Sequence, residues 1–236
     1  MEKLELEILP QPNETTCGPT CLQAVYRYYD REVPLDRVIA EVQPVASGGT
    51  LAVLLAQHAL RHGFSAVIYT YNVTLFDPTW FDDADRIPER LRKQMDAKAG
   101  NERLQEATPA YLEFLSLGGE LRFRDLTPAL LREYLRRGVP ILTGLSATFL
   151  YHCARERDDN EYDDIVGDPV GHFVVLSGYD PETREVLVAD PLQDNPLHGS
   201  RYYRVDVDRL INAILLGIVT YDANLLILRP ESAETR

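Results

Sequence analysis

Three stretches in the first 65 residues place apolar side chains at helical spacing. In CGPTCLQAVYRYY, Cys21, Leu22, Val25, Tyr28 and Tyr29 fall on one stripe, which predicts a central buried helix. Its start is expected at Cys17-Gly18-Pro19, because proline is tolerated in a first turn where its missing N–H would be unpaired anyway. PLDRVIAEV repeats the pattern with Leu35, Val38, Ile39 and Val42 inward, and GGTLAVLLAQHALRHGF repeats it again. There Thr50 is the expected cap and Gly63 the stop. The period then changes: SAVIYTYNV, 65–73, has the β-branched and aromatic content of a strand. From Asp77 to Gly118 the chain turns charged and helical, in RIPERLRKQMDAKAG and TPAYLEFLSL, with no chemical motif. We expect one domain over 1–236 with a helical insert at about 77–118.

LTPALLREYLRRG predicts another helix, with Thr127 as cap, Pro128 in the first position and Gly138 at the end, leading into the strand VPILTGLS. RERDDNEYDDIVGD, 155–168, has no periodicity and lacks the ligand spacing of a calcium loop, so it reads as a solvated loop. GHFVVLSGYD and EVLVAD are strand-like runs joined by a hairpin at Asp180-Pro181-Glu182-Thr183. SRYYRVDV, the helix DRLINAILLG and the strand NLLILRP close the chain. Helices come early and strands late, which implies an α+β fold with an antiparallel sheet and not a parallel βαβ sheet.

With 45% hydrophobic and 26% charged residues, the composition is that of an ordinary globular protein. A formal charge of −13 argues against nucleic acid as a partner, because phosphate binding draws on clustered Lys and Arg, and against an anionic membrane surface. No run has the length of a membrane-spanning helix, and no basic segment followed by an apolar one marks a secretory signal. Cys17, Cys21 and Cys153 cannot all pair within the chain, so a reducing, cytoplasmic setting is expected.

The candidate chemistry rests on four residues in a fixed order. Cys17 lies at a predicted helix start, where the macrodipole and free N–H groups favour a thiolate. His172 opens an apolar strand, a rigid place from which to aim an imidazole. Asp190 ends the next strand, where its carboxylate reaches the far nitrogen of His172 and fixes the ring. Gln11 is placed to donate its amide to a developing oxyanion beside the Cys17 N–H. CGPTC has three residues between its cysteines, so Cys21 is expected as a core thiol and not a redox partner. His152 and Cys153 are expected to be structural. His58 and His62 have the spacing of a helical zinc pair, but the glutamate that follows the first histidine in a zinc peptidase is missing, and neither a metal nor a cofactor is expected. Tyr202 and Tyr203 are assigned to core and cleft wall.

QPNETTCGPTCLQAVYRYY, GGT at 48–50, GHFVVLSGYD and VLVADP resemble the papain-like double-glycine leader peptidases, family 39 of the cysteine peptidases, and their stand-alone relatives. The resemblance covers roughly the first 65 residues and 127–228. It implies a papain-like cysteine proteinase fold, with a helical half packed on an antiparallel sheet, and puts the catalytic roles on Gln11, Cys17, His172 and Asp190. Thr16 stands where members that process exported peptides commonly have an acidic residue. The expected activity is hydrolysis of a peptide or related amide through a thioester on Cys17. A non-catalytic peptide-binding module of the same fold, or an acyl or peptidyl transferase using the same site, remains open.

Overall fold

A computed structural model describes residues 2–42, 44, 49–196 and 199–231; Gly48 of the GGT run lies outside them. In chain order the elements are β1 (Glu2–Lys3), α1 (Cys17–Tyr28), α2 (Leu35–Glu41), α3 (Ala52–Arg61) and β2 (Phe64–Thr70). A 3₁₀ segment (Pro78–Arg86), α4 (Ile87–Ala97), α5 (Glu102–Ser116), β3 (Glu120–Arg122) and α6 (Pro128–Leu135) follow. The chain then forms β4 (Ile141–Ser146), α7 (Ala147–Tyr151), β5 (Gly171–Asp180), β6 (Glu185–Ala189), β7 (Tyr202–Asp206) and α8 (Val207–Leu216). A 3₁₀ turn (Gly217–Thr220) and β8 (Asn224–Pro230) complete it.

The strands make one sheet in the order β3-β2-β8-β4-β5-β6-β7, with β1 paired to β5. Every pairing is antiparallel except β2 with β3. The early half of the chain therefore supplies β2 and β3 at one edge, so helices and strands are less segregated along the sequence than their order suggested. Alternate residues of β5 face opposite ways: Phe173 and Val175 join a core with α1, α3 and α5, while Val174 and Leu176 join a second core with α6 and α8. Burial on both faces explains why the central strands read as unbroken apolar runs.

Local signals set most boundaries. The Thr127 side chain accepts from Leu130 N, Pro128 opens α6, and Gly138 adopts φ +72 just beyond its end. Gly63 adopts φ +77 after α3. Thr50 does not cap α3. The helix begins two residues later, and the acceptor for Ala52 N at 3.0 Å is Oδ1 of Asp222, from the connection into β8. A buried carboxylate from the far end of the chain thus replaces the local hydroxyl. The 155–168 segment is an irregular loop, with Glu156 bridged to Tyr162 and Asp168. No helix among the described residues is long and apolar enough to cross a membrane.

Candidate active site

The turn Asn13–Thr16 delivers Cys17 to the mouth of α1. Thr16 Oγ1 donates to Asn13 O at 2.9 Å, so its hydroxyl is committed to the turn and does not cap the helix. The N–H groups of a first helical turn have no intrahelical partner, which makes this end attractive to negative charge. Gly18 has a packing reason. A Cβ there would come within 2.5 Å of Thr50 Cγ2 and 3.3 Å of the Phe173 ring, so glycine lets α1 press against β5 at the residue beside His172.

The register of β5 and β6 pairs Val175 with Ala189, which brings the start of β5 and the residue after β6 to the same end of the sheet. His172 Nε2 lies 2.8 Å from Asp190 Oδ1, leaving Nδ1 free to face the cleft that the ring shares with Cys17. Cys17 is 9% exposed, His172 7% and Asp190 0%. Asp190 is also held from its other sides: Oδ1 accepts from Leu192 N at 2.8 Å, and Oδ2 from Tyr151 OH at 2.7 Å and Tyr203 OH at 2.6 Å. Burial works to neutralise this carboxyl, but the charge of His172 and these hydrogen bonds hold it below its ordinary range. For His172, burial opposes the charged ring, yet the Asp190 carboxylate and the Cys17 side chain outweigh it and push the imidazole up to about 10.

Three of the four sequence-derived residues therefore converge. Gln11 is near but turned. Its N–H donates to Pro191 O at 2.9 Å, tying its loop to the residue after Asp190, while Nε2 donates to Asn13 O at 3.1 Å and Oε1 is buried without a partner. An amide nitrogen carries two N–H groups, so one is left for another acceptor.

A cleft of about 220 Å³ opens beside Cys17 and His172, walled by Thr50, Arg103, Tyr221 and Asp222. Arg103 comes from α5 and donates to Val219 O at 3.1 Å, so the helical segment between 77 and 118 forms part of the cleft wall. Asp222, capping α3, is pushed up to about 7 by burial, which the bonds from Ala52 N and Asn224 only partly offset.

Sequence reasoning missed the clamp on Asp190. Tyr203 was readable as an inward position of YYRVD, since it alternates with exposed Tyr202 and Arg204. Tyr151, on the five-residue α7, has no local signal. Its neighbours His152 and Cys153 do not line the cleft; Cys153 is half-buried, with its thiol raised by burial. Cys21 is a core thiol as expected, fully buried and donating to Phe173 O at 3.2 Å.

The sequence profile of the Peptidase_C39 like family matches residues 3–210. The chain belongs to that family. Membership in the Peptidase_C39 like family makes it a cysteine peptidase-like protein. A Bacillus anthracis protein described as a C39-like peptidase shares its fold, at 16% identity over 97% of this chain and 98% of that one, with a TM-score of 0.52. Also similar are a double glycine motif protease from an AMS/PCAT transporter, in complex with the leader peptide (15% identity, 97% and 94% covered, TM-score 0.46), and the peptidase domain of Streptococcus ComA, a bi-functional ABC transporter involved in quorum sensing (14%, 98% and 99%, 0.43). No curated protein sequence matches the chain. The α+β, papain-like architecture expected from the sequence is the one observed.

Proposed function

We propose that the chain is a cysteine hydrolase that cleaves a peptide or related amide bond through a thioester on Cys17. One observation carries this reading: His172, bonded to the buried Asp190 carboxylate, lines the same cleft as Cys17 at the mouth of α1. In the first step Cys17 Sγ attacks the amide carbon and the C–N bond breaks, with the proton passing from His172 Nδ1 to the leaving amine. In the second, His172 takes a proton from water, the hydroxide adds to the thioester carbon, the C–S bond breaks to return the Cys17 thiolate beside the protonated His172, and the acid product leaves, giving its proton to solvent. Asp190 keeps the ring in one orientation through both steps. The Cys17 N–H, together with the Gln11 amide once it turns from Asn13 O, stabilises the oxyanion; one such donor is typically worth about 10²–10³ in rate.

The chain acts as one domain in which the 77–118 helices shape the substrate cleft, in the cytoplasm, on a soluble peptide or amide-containing substrate. A test is to incubate the protein with a peptide mixture and follow products and adducts by mass spectrometry, with and without added amine. Hydrolysed products and a hydroxylamine-labile acyl adduct on Cys17, both absent in Cys17→Ala, are expected. Products extended by the added amine would make it a transferase. The binding-module reading draws on the Gln11 amide being engaged by Asn13 O, and peptide capture with neither cleavage nor adduct would favour it.

A further inference from the structure

On the helical half, α2 and α3 bring three ligand-type side chains to one point. His58 Nε2 is 3.0 Å and His62 Nε2 3.4 Å from the same atom, Oε2 of Glu41, and the three ligating atoms lie within 4.8 Å of one another. Both Nε2 atoms face the same carboxylate oxygen, and because the two imidazoles stack at 4.1 Å with planes 8° apart, a shared ion requires one ring to tilt toward the other. A tetrahedral zinc site with bonds of about 2.0–2.1 Å places its ligands about 3.3–3.4 Å apart, close to the spacings to Glu41.

The far nitrogens are anchored as well. His62 Nδ1 is 2.8 Å from His58 O, and since a carbonyl only accepts, Nδ1 carries the proton. In a neutral ring that leaves the Nε2 lone pair facing a carboxylate oxygen, an arrangement reconciled by a proton or a metal cation between them. His58 Nδ1 is 2.7 Å from the OH of fully buried Tyr26; in the tautomer with the proton on Nδ1, that nitrogen donates to the hydroxyl oxygen and Nε2 is free to ligate. Metal-bound histidines generally have such a partner on the second nitrogen.

We propose that Glu41, His58 and His62 form a binding site for a divalent cation of zinc-like preference, which fastens the end of α2 to α3. The glutamate that HALRH lacks in sequence is supplied by another helix, as a ligand and not as a base. Glu41 is about a third exposed and His62 about a quarter, so water completes the coordination. The other oxygen of Glu41 is taken by Arg37 Nε at 2.7 Å, which leaves Oε2 for the ion. None of the three residues lines the cleft, so the site braces the fold and takes no part in the reaction.

The probe is Co²⁺, titrated into chelator-treated protein carrying Cys17→Ser, so that the cleft sulfur cannot bind it. One Co²⁺ per chain with the visible absorption of tetrahedral nitrogen and oxygen ligation, no thiolate charge-transfer band, and displacement by Zn²⁺ are expected. Glu41→Gln and His62→Gln should each weaken binding at least tenfold and abolish the rise in Tm that Zn²⁺ gives the parent. Glu41 is exposed, so Glu41→Gln carries the test if His62→Gln fails to fold. Absence of Co²⁺ binding in the Cys17→Ser protein, or equal affinity in the variants, would overturn the proposal.

Discussion

His172 and His58 each place Nε2 within hydrogen-bond distance of a carboxylate, at 2.8 Å from Asp190 and 3.0 Å from Glu41, yet the two rings are pushed in opposite directions. His172 rises to about 10, and His58, through burial and the neighbouring His62, falls to about 4 despite the bond to Glu41. Separation does not decide the outcome; the surroundings of each pair do, including the second histidine beside His58. Asp190 is fully buried, and two tyrosine hydroxyls and a backbone N–H keep it ionised, so its charge acts across a short, poorly screened gap. Glu41 is 37% exposed and shared with Arg37, so water and a competing cation dilute it. Asp222 completes the series: buried, with bonds from Ala52 N and Asn224 only, it is pushed up to about 7.

The severest way to break this contrast is Asp190→Asn. An amide cannot supply the charge, so His172 should titrate near or below its ordinary 6.5 and turnover should fall about 10²–10⁴-fold, read by ring NMR and by product formation. Next is Asp222→Asn. A carboxyl whose folded value is raised binds more protons in the native state than in the unfolded one between about pH 4 and 7, so its contribution to stability declines as pH rises through that window. The variant should therefore be more stable than the parent above pH 7, by about 2–4 kcal/mol, and gain little near pH 4, as measured by urea unfolding. For His172 the sign is worked the same way: its raised value gives stability that is complete below about 6.5 and lost as pH climbs through about 10, a loss that His172→Ala should remove.

Tyr151→Phe sharpens the contrast from the side of the clamp. It removes one donor to a buried carboxylate and should lower stability by about 1.5–3 kcal/mol in the same urea assay, with turnover reduced far less than in Asp190→Asn. The smallest effect is expected from Glu41→Gln, which should move the His58 titration further down without altering that of His172, both followed by NMR.

The legible parts of this molecule are those in which a few neighbouring residues decide the structure. Thr127, Pro128 and Gly138 bound α6 by local chemistry, and the hairpin between β5 and β6 fixes where His172 and Asp190 meet. What stayed hidden depends on residues far apart in the chain. The cap of α3 comes from Asp222 and not Thr50, because the helix start lies against the connection to β8. Tyr151 reaches Asp190 from a short helix with no pattern of its own, and Glu41 meets His58 and His62 only after α2 folds onto α3. The parallel β2–β3 pair rests on three residues of β3, too few for an alternation to show.

The central claim is that His172, charged by Asp190, activates Cys17. The most direct measurement is the rate of iodoacetamide labelling at Cys17 against pH, resolved from Cys21 and Cys153 by peptide mass spectrometry, in the native protein and in His172→Ala. The account predicts rapid Cys17 labelling below about pH 7, where an unperturbed thiol titrating near 8.5 reacts slowly, and loss of that reactivity in the variant. Slow labelling with the same pH profile in both proteins would contradict it.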